Sequence, residues 1–332
     1  MYHINLTRML AGAKDTLLAE KKPRTVPLEL LIFLLVITIA QSAQIAIISV
    51  IDTALMMGDS GFYELAMSSG LDYEALLNYM TEFLSALPPW YYAVTFISAG
   101  AMIPTAILYC RWFEKRKPYT LGFSKRGVIT EYIIGLLFGS AMICLPVLAC
   151  YLTKCVSFSF SSADPATVAL FFAAFILQGM GEEAIFRGYL LISLARRTKI
   201  WVAIIVSSLM FTAFHIGNSG FSVVAFINIF LFGVFASVFM LKRGSIWAVS
   251  AIHTAWNFIQ GNVFGFSVSG NPKLPTIIEN TTANHGWVLH GGEFGLEGGL
   301  GTTVVLLIAI LIALQIPTKK SEYVEIKEDP EI

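Results

Sequence analysis

Glu182, Glu183 and Arg187 in GEEAIFRGYL, His215 in FTAFHIGN, and His253 with Asn257 in HTAWNF have the types and spacing that suit acid–base chemistry. A glutamate held in an apolar pocket can take a proton from water and later return it to a leaving amine. A second group nearby, here His215, can hold the same water. His253 and Asn257 are four residues apart, so on a helix they share a face and can both donate to one developing oxyanion. Glu183 and Arg187 have the same spacing, in the order that favours an ion pair, and would brace the helix and the adjacent Glu182. Glu182 is turned by about 100° from Glu183 and is left to face another partner. Phe211 lies one turn before His215. Together the set is sufficient for hydrolysis of a peptide bond.

Composition says what kind of element must hold such residues. The 332 residues are 56% hydrophobic and 13% charged, with a mean hydropathy of +0.71, far from the roughly 25% charged residues of a soluble domain. Apolar stretches long enough to cross about 30 Å of hydrocarbon lie at 27–51, 90–110, 128–153, 166–195, 200–216, 222–241, 245–261 and 298–316. The expected fold is all-α, a polytopic transmembrane helix bundle of about eight spans. The first apolar run follows 26 polar-rich residues and is longer than the core of a cleavable leader, so it reads as a span. Lys and Arg balance Asp and Glu at 22 each, which gives no electrostatic reason to expect nucleic acid.

The loops orient the bundle, because Lys and Arg gather on the cytoplasmic side of short connections. Nineteen of them lie in the N-terminal segment, the loop after the second span, the connections at 196–199 and 242–243, and the tail. The alternate loops hold only Lys154 and Lys273, and the loop 52–89 carries six carboxylates and no base. Both termini are therefore expected on the cytoplasmic side. The organisation reads as an interfacial segment at 1–26, with a surface helix at 4–18, then N-terminal spans at 27–164 with an outer loop at 52–89 that is helical around 73–87. A helical core at 165–261 carries the chemistry. An irregular outer loop and last span at 262–316 and a cytoplasmic tail at 317–332 complete it.

Charges in the middle of a span cost at least about 2.5–3.5 kcal/mol each and mark function by default. At about 1.5 Å per residue, Glu182 lies roughly 21 Å from Arg196, His215 roughly 24 Å from Lys199 and Asn257 roughly 21 Å from Arg243, with His253 one turn shallower. Four polar residues on three helices thus fall in one slab. Each has a plainer reading alone: a lone His or Asn in a span is commonly an interhelical hydrogen bonder, and a polar midplane also suits an ion pathway. No internal repeat of the transporter type is visible. Cys110, Cys144, Cys150 and Cys155 lack paired spacing and read as apolar fillers. His285 and His290 lie outside the slab, and Gly181 and Gly188 read as sites of close helix approach.

With these residues in view, the chain resembles the CPBP family of intramembrane proteases, which groups type II CAAX prenyl endopeptidases with bacteriocin-processing and immunity proteins. EExxxR is present as Glu182, Glu183 and Arg187, FxxxH as Phe211 and His215, and HxxxN as His253 and Asn257, over roughly 165–260. The resemblance implies that Glu182 and His215 activate water and that His253 and Asn257 stabilise the oxyanion. It implies an endopeptidase acting on a membrane-presented peptide or prenylated protein, with lipid as its surroundings. The alternative is a non-catalytic immunity or scaffold protein that retains the polar cluster. Zinc on Glu182, His215 and His253 would form an acceptable three-ligand set. No cofactor is favoured, since there is no HExxH pair and ligation by Glu182 would leave only the paired Glu183 as base. A prokaryotic plasma membrane is the expected location.

Overall fold

The computed structural model describes residues 9, 12–14, 24–67, 73–125 and 127–317. The surface helix expected at 4–18, apart from residues 9 and 12–14, and the tail after Pro317 lie outside the described residues. Every apolar stretch is helical, the local solution to backbone N–H and C=O groups placed in hydrocarbon. In chain order the helices are α1 (Val26–Met57), α2 (Ser60–Met67), α3 (Tyr73–Ser85), α4 (Pro89–Trp112), α5 (Val128–Leu152) and α6 (Pro165–Ala195). They continue with α7 (Ile200–Ala213), α8 (Val223–Arg243), α9 (Trp247–Phe258), prolonged by a π turn at Ile259–Val263, and α10 (Leu300–Gln315). Helices α1, α4, α5, α6 and α8 are long and apolar enough to cross a membrane, whereas α7, α9 and α10 are shorter. The chain is a multi-pass integral membrane protein. Exposed Leu31 and Leu35 of α1, Leu137 and Leu145 of α5 and Leu307 and Leu311 of α10 give its lipid-facing surface.

Local signals set the helix ends. Asp164 caps α6, accepting from the backbone N–H of Ala166 and Thr167, with Pro165 in the first turn. Ser222 caps α8 in the same way through Ala225, and Gly244, at φ 65°, closes its C-terminus. The expected span 200–216 stops at Ala213. There the His215 ring Nδ1 donates to the Phe211 carbonyl at 2.8 Å, satisfying a helix-end acceptor and letting the chain turn. The fold is also not purely helical. An antiparallel ribbon pairs β1 (Val156–Phe160) with β2 (Ile278–Thr282), from Val156 opposite Thr282 to Phe160 opposite Ile278, within segments expected as loop.

Helix α9 sits at the centre. Residues Ala248–Asn257 are all buried, and α5 lies against them because it presents glycine at two positions one turn apart. A methyl at Gly135 would come within 2.2 Å of the Ala248 carbonyl, and one at Gly139 within 2.7 Å of that of Ile252; small residues at this spacing let helix backbones touch. Gly181 of α6 meets Ala99 of α4 in the same way, at 2.6 Å from its carbonyl.

The basic connections cluster at one end of the bundle. Arg243 pairs with Glu131 at 2.7 Å, Trp247 Nε1 donates to the Ser124 carbonyl, and Lys242 reaches the end of α10 at Leu314. At this end Glu114 is buried, with Arg116 at 2.7 Å and Arg196 at 2.9 Å and Ser193 Oγ donating at 2.8 Å. Burial alone would raise its carboxyl, but Arg116, Arg196 and the Ser193 hydroxyl outweigh that and hold it down at about 2. A carboxyl depressed on folding contributes stability above its ordinary value near 4.5 and loses it as pH falls toward 2. Thermal unfolding in detergent should therefore show Glu114→Gln destabilised at neutral pH by about 3–5 kcal/mol. The gap to wild type should narrow from pH 4.5 downward; a gap independent of pH would contradict the ionised assignment.

Candidate active site

Helix α6 changes winding where the chemistry begins. It is α-helical over Pro165–Glu183, π-helical over Ala184–Leu191 and α-helical again over Ile192–Ala195. Wide turns of this kind are tolerated where neighbours hold them, and residues Ala184–Leu191 are all buried. Arg187, within the π segment, pairs back to Glu183 with Nη1–Oε1 at 3.2 Å. Its guanidinium also lies 4.1 Å from the centroid of the Phe211 ring, a cation–π contact that desolvation strengthens.

Glu183 is fully buried and has a second partner. His253 Nδ1 of α9 lies 2.9 Å from the same Oε1, so one carboxylate oxygen joins Arg187 on its own helix to the histidine across the interface. The brace expected from Glu183 to Glu182 is instead a brace from Glu183 to His253, because the side chains of adjacent residues diverge around the helix. With Nδ1 committed to Glu183, His253 turns Nε2 toward Glu182, 3.7 Å from Oε2. Glu182 is held from one turn earlier: Gln178 Nε2 donates to its Oε1, and Asn257 Nδ2 donates to Gln178 Oε1 at 2.9 Å. Gln178 thus bridges the carboxylate and the asparagine amide.

His215, in the turn after α7, keeps Nδ1 on the Phe211 carbonyl, so Nε2 is its open nitrogen. The Phe211 ring stacks beside it at 4.7 Å between centroids. Glu182, His215, His253 and Asn257 all line one cavity of roughly 230 Å³, together with Gln178 and residues of α1, α4 and the segment after α9. Glu182 Oε2 has no hydrogen-bond partner among the described residues. The geometry brings a carboxylate, two imidazoles and a carboxamide to one polar-walled space inside an apolar bundle. There they can activate water and receive negative charge.

Two residues of this neighbourhood are absent from the sequence motifs. Gln178 was marked only by being a polar residue in an apolar run, one turn before Glu182. Glu297 lies just before the last span and is 5% exposed; its Oε2 accepts from Ser269 N at 2.5 Å, Ser269 Oγ at 2.9 Å and Gln260 Nε2 at 3.3 Å. It fixes Ser269 against the cavity and lines a smaller adjoining space of roughly 20 Å³ with His215, His253 and Asn257. As for zinc, among the described residues no three His, Cys, Asp or Glu side chains converge as a ligand set. Glu182, His215 and His253 share a wall but not a coordination centre.

No curated protein matches the chain significantly. A family model described as type II CAAX prenyl endopeptidase Rce1-like matches residues 164–259, from the Asp164 cap of α6 to the end of α9. That stretch contains EExxxR, FxxxH and HxxxN entire. Over that stretch the chain is similar to the Rce1-like type II CAAX prenyl endopeptidases, and the match supports its resemblance to the CPBP family.

Proposed function

We propose that the chain is an intramembrane endopeptidase that hydrolyses a peptide bond of a membrane-presented substrate with a water activated by Glu182. The observation that carries this reading is the cavity wall: Glu182 lines it, held through one oxygen by Gln178, with Oε2 buried beside His253 Nε2 and without a hydrogen-bond partner among the described residues. Water held between Glu182 and His215 Nε2 gives its proton to the carboxylate as its oxygen bonds to the scissile carbonyl carbon. The oxyanion that forms accepts from the second N–H of Asn257 and from Nε2–H of His253, whose ring carries a proton on both nitrogens before the attack and keeps both, with Glu183 behind it. Collapse breaks the C–N bond, and Glu182 passes its proton to the departing amine. The family acts generally on membrane-associated peptides, prenylated ones among them, and a lipid-anchored substrate would arrive laterally.

Cleavage of a farnesylated CAAX peptide and of its unprenylated counterpart by purified protein in detergent tests the reading. Wild type should cleave at least one of them, and Glu182→Ala should lose activity by about 10²–10⁴-fold, the range for a general base. Equal cleavage by Glu182→Ala would sink the proposal, and failure on every peptide would favour the non-catalytic alternative. A zinc chelator should leave the rate unchanged; loss on chelation with recovery on added zinc would replace the metal-independent mechanism.

Two further variants separate positioning from chemistry. Asn257→Ala should lower kcat by about 10²–10³-fold, as removal of one oxyanion donor does. Gln178→Ala frees both Glu182 and Asn257 without removing either, and should lower kcat by about 100-fold with KM little changed. A Gln178→Ala enzyme with wild-type kcat would show that the bridge has no part in catalysis.

A further inference from the structure

We propose that the cavity opens toward the non-cytoplasmic side of the membrane, so that this site takes a peptide presented from the outer leaflet. The nature of the ligand rests on the peptidase reading; the direction of the opening rests on geometry and charge.

The connections that reach the cavity come from one end of the bundle. Asn218, in the turn after α7, and Val268, Ser269 and Asn271, in the segment after α9, line it. Asn218 Nδ2 donates to the Ser269 carbonyl at 2.7 Å, tying these two connections together. Both belong to the end opposite the clustered Lys and Arg. Among the described residues, none of the basic connections lines this cavity or the smaller one beside it.

The other end is shut. Phe186 and Phe214 make the cavity floor. Phe33 packs beneath, 5.5 Å from Phe186 and 5.9 Å from Tyr189 between ring centroids, and both Phe33 and Tyr189 are fully buried. Under this aromatic layer Arg116 enters the bundle from the basic loop. It donates to Glu114 at 2.7 Å, to Ser193 Oγ at 3.0 Å and toward the Tyr189 carbonyl at 3.4 Å. A polypeptide coming from the basic end would have to break desolvated ion pairs and then part a packed ring layer. One coming from the opposite end meets the side chains of Asn218, Ser269 and Asn271 at the cavity wall.

Charge then fixes which end is which. Nineteen of the 22 Lys and Arg residues lie in the N-terminal segment, the connections of the sealed end and the C-terminal tail, which places that end in the cytoplasm. The walls also suit a peptide chain. Gln41 and Gln44 of α1, with Asn218 and Asn271, set neutral amides around the space. Gln44 Nε2 reaches only the Thr95 carbonyl, at 3.4 Å. Each such amide offers both donor and acceptor to an extended backbone, in a medium where lipid offers neither.

Single cysteines in a background with the four native cysteines replaced by Ser or Ala test the direction directly. Asn271→Cys in the segment after α9, Gln41→Cys in the wall and Lys125→Cys at the sealed end are expressed separately. Intact spheroplasts are then exposed to a membrane-impermeant maleimide. Asn271→Cys and Gln41→Cys should be modified in intact spheroplasts, and Lys125→Cys only after lysis. Modification of Asn271→Cys only after lysis, or of Lys125→Cys in intact spheroplasts, would overturn the proposal. So would a Gln41→Cys that reacts only from the lysed side. Labelling needs no turnover, so its failure and the failure of peptide cleavage are told apart: an outward-opening protein that cleaves nothing loses the peptidase, and an active enzyme labelled from the cytoplasm loses the direction.

Discussion

Glu183 carries a charge that hydrocarbon would expel, and two bonds keep it in place: Arg187 from its own helix and His253 from α9, both to one carboxylate oxygen. Removing one partner of such a buried group typically costs about 3–5 kcal/mol, because the charge left behind has no solvent to turn to. The bond to His253 therefore fixes the register of α6 against α9 and the orientation of the imidazole ring together. Arg187 extends the same constraint to a third helix, since its guanidinium rests on Phe211 of α7. His215 follows one turn later, its Nδ1 tied to the Phe211 carbonyl. His253 is thus positioned by that single carboxylate, Glu182 and Asn257 by the Gln178 bridge, and His215 through Arg187 and Phe211.

Such a constraint works only if the helices come close enough, and the apolar parts of the chain arrange this. Gly135 and Gly139 bring α5 into backbone contact with α9, and Gly181 does the same for α6 and α4. The π winding of Ala184–Leu191 lies directly after the acidic pair. A buried polar cluster held this tightly rigidifies its surroundings when its members are satisfied and destabilises them when they are not. The second ionic cluster, around Glu114, follows the same rule at the basic end of the bundle, where it closes the floor beneath the aromatic layer.

Much of this is local in sequence and could be read there. Hydrophobic length marks the helical stretches, and spacing by four puts Arg187 within reach of Glu183 and His253 on the face of Asn257. The rest depends on contacts between distant segments. The Glu183–His253 bond joins residues 70 apart, and no pattern within either helix announces it. The β1–β2 ribbon pairs segments separated by most of the core; VSFSF does alternate with period two, but a five-residue run between apolar helices is weak evidence for a strand. Glu297 sits in a glycine-rich stretch that says nothing of burial, and Gln178 becomes informative only once Asn257 is known to face it. The end of α7 before His215 was missed because a side chain, not a glycine or proline, supplies the stop.

Single-turnover cleavage in ¹⁸O-enriched water tests the central claim most directly, with mass analysis of both products and of the enzyme peptide containing Glu182. A carboxylate that activates water should leave one ¹⁸O in the new carboxyl terminus of the product and none in the protein, with no labelled product from Glu182→Ala. Label in the Glu182 side chain would show a covalent acyl intermediate, and equal labelling of product by Glu182→Ala would show that this carboxylate is not the base.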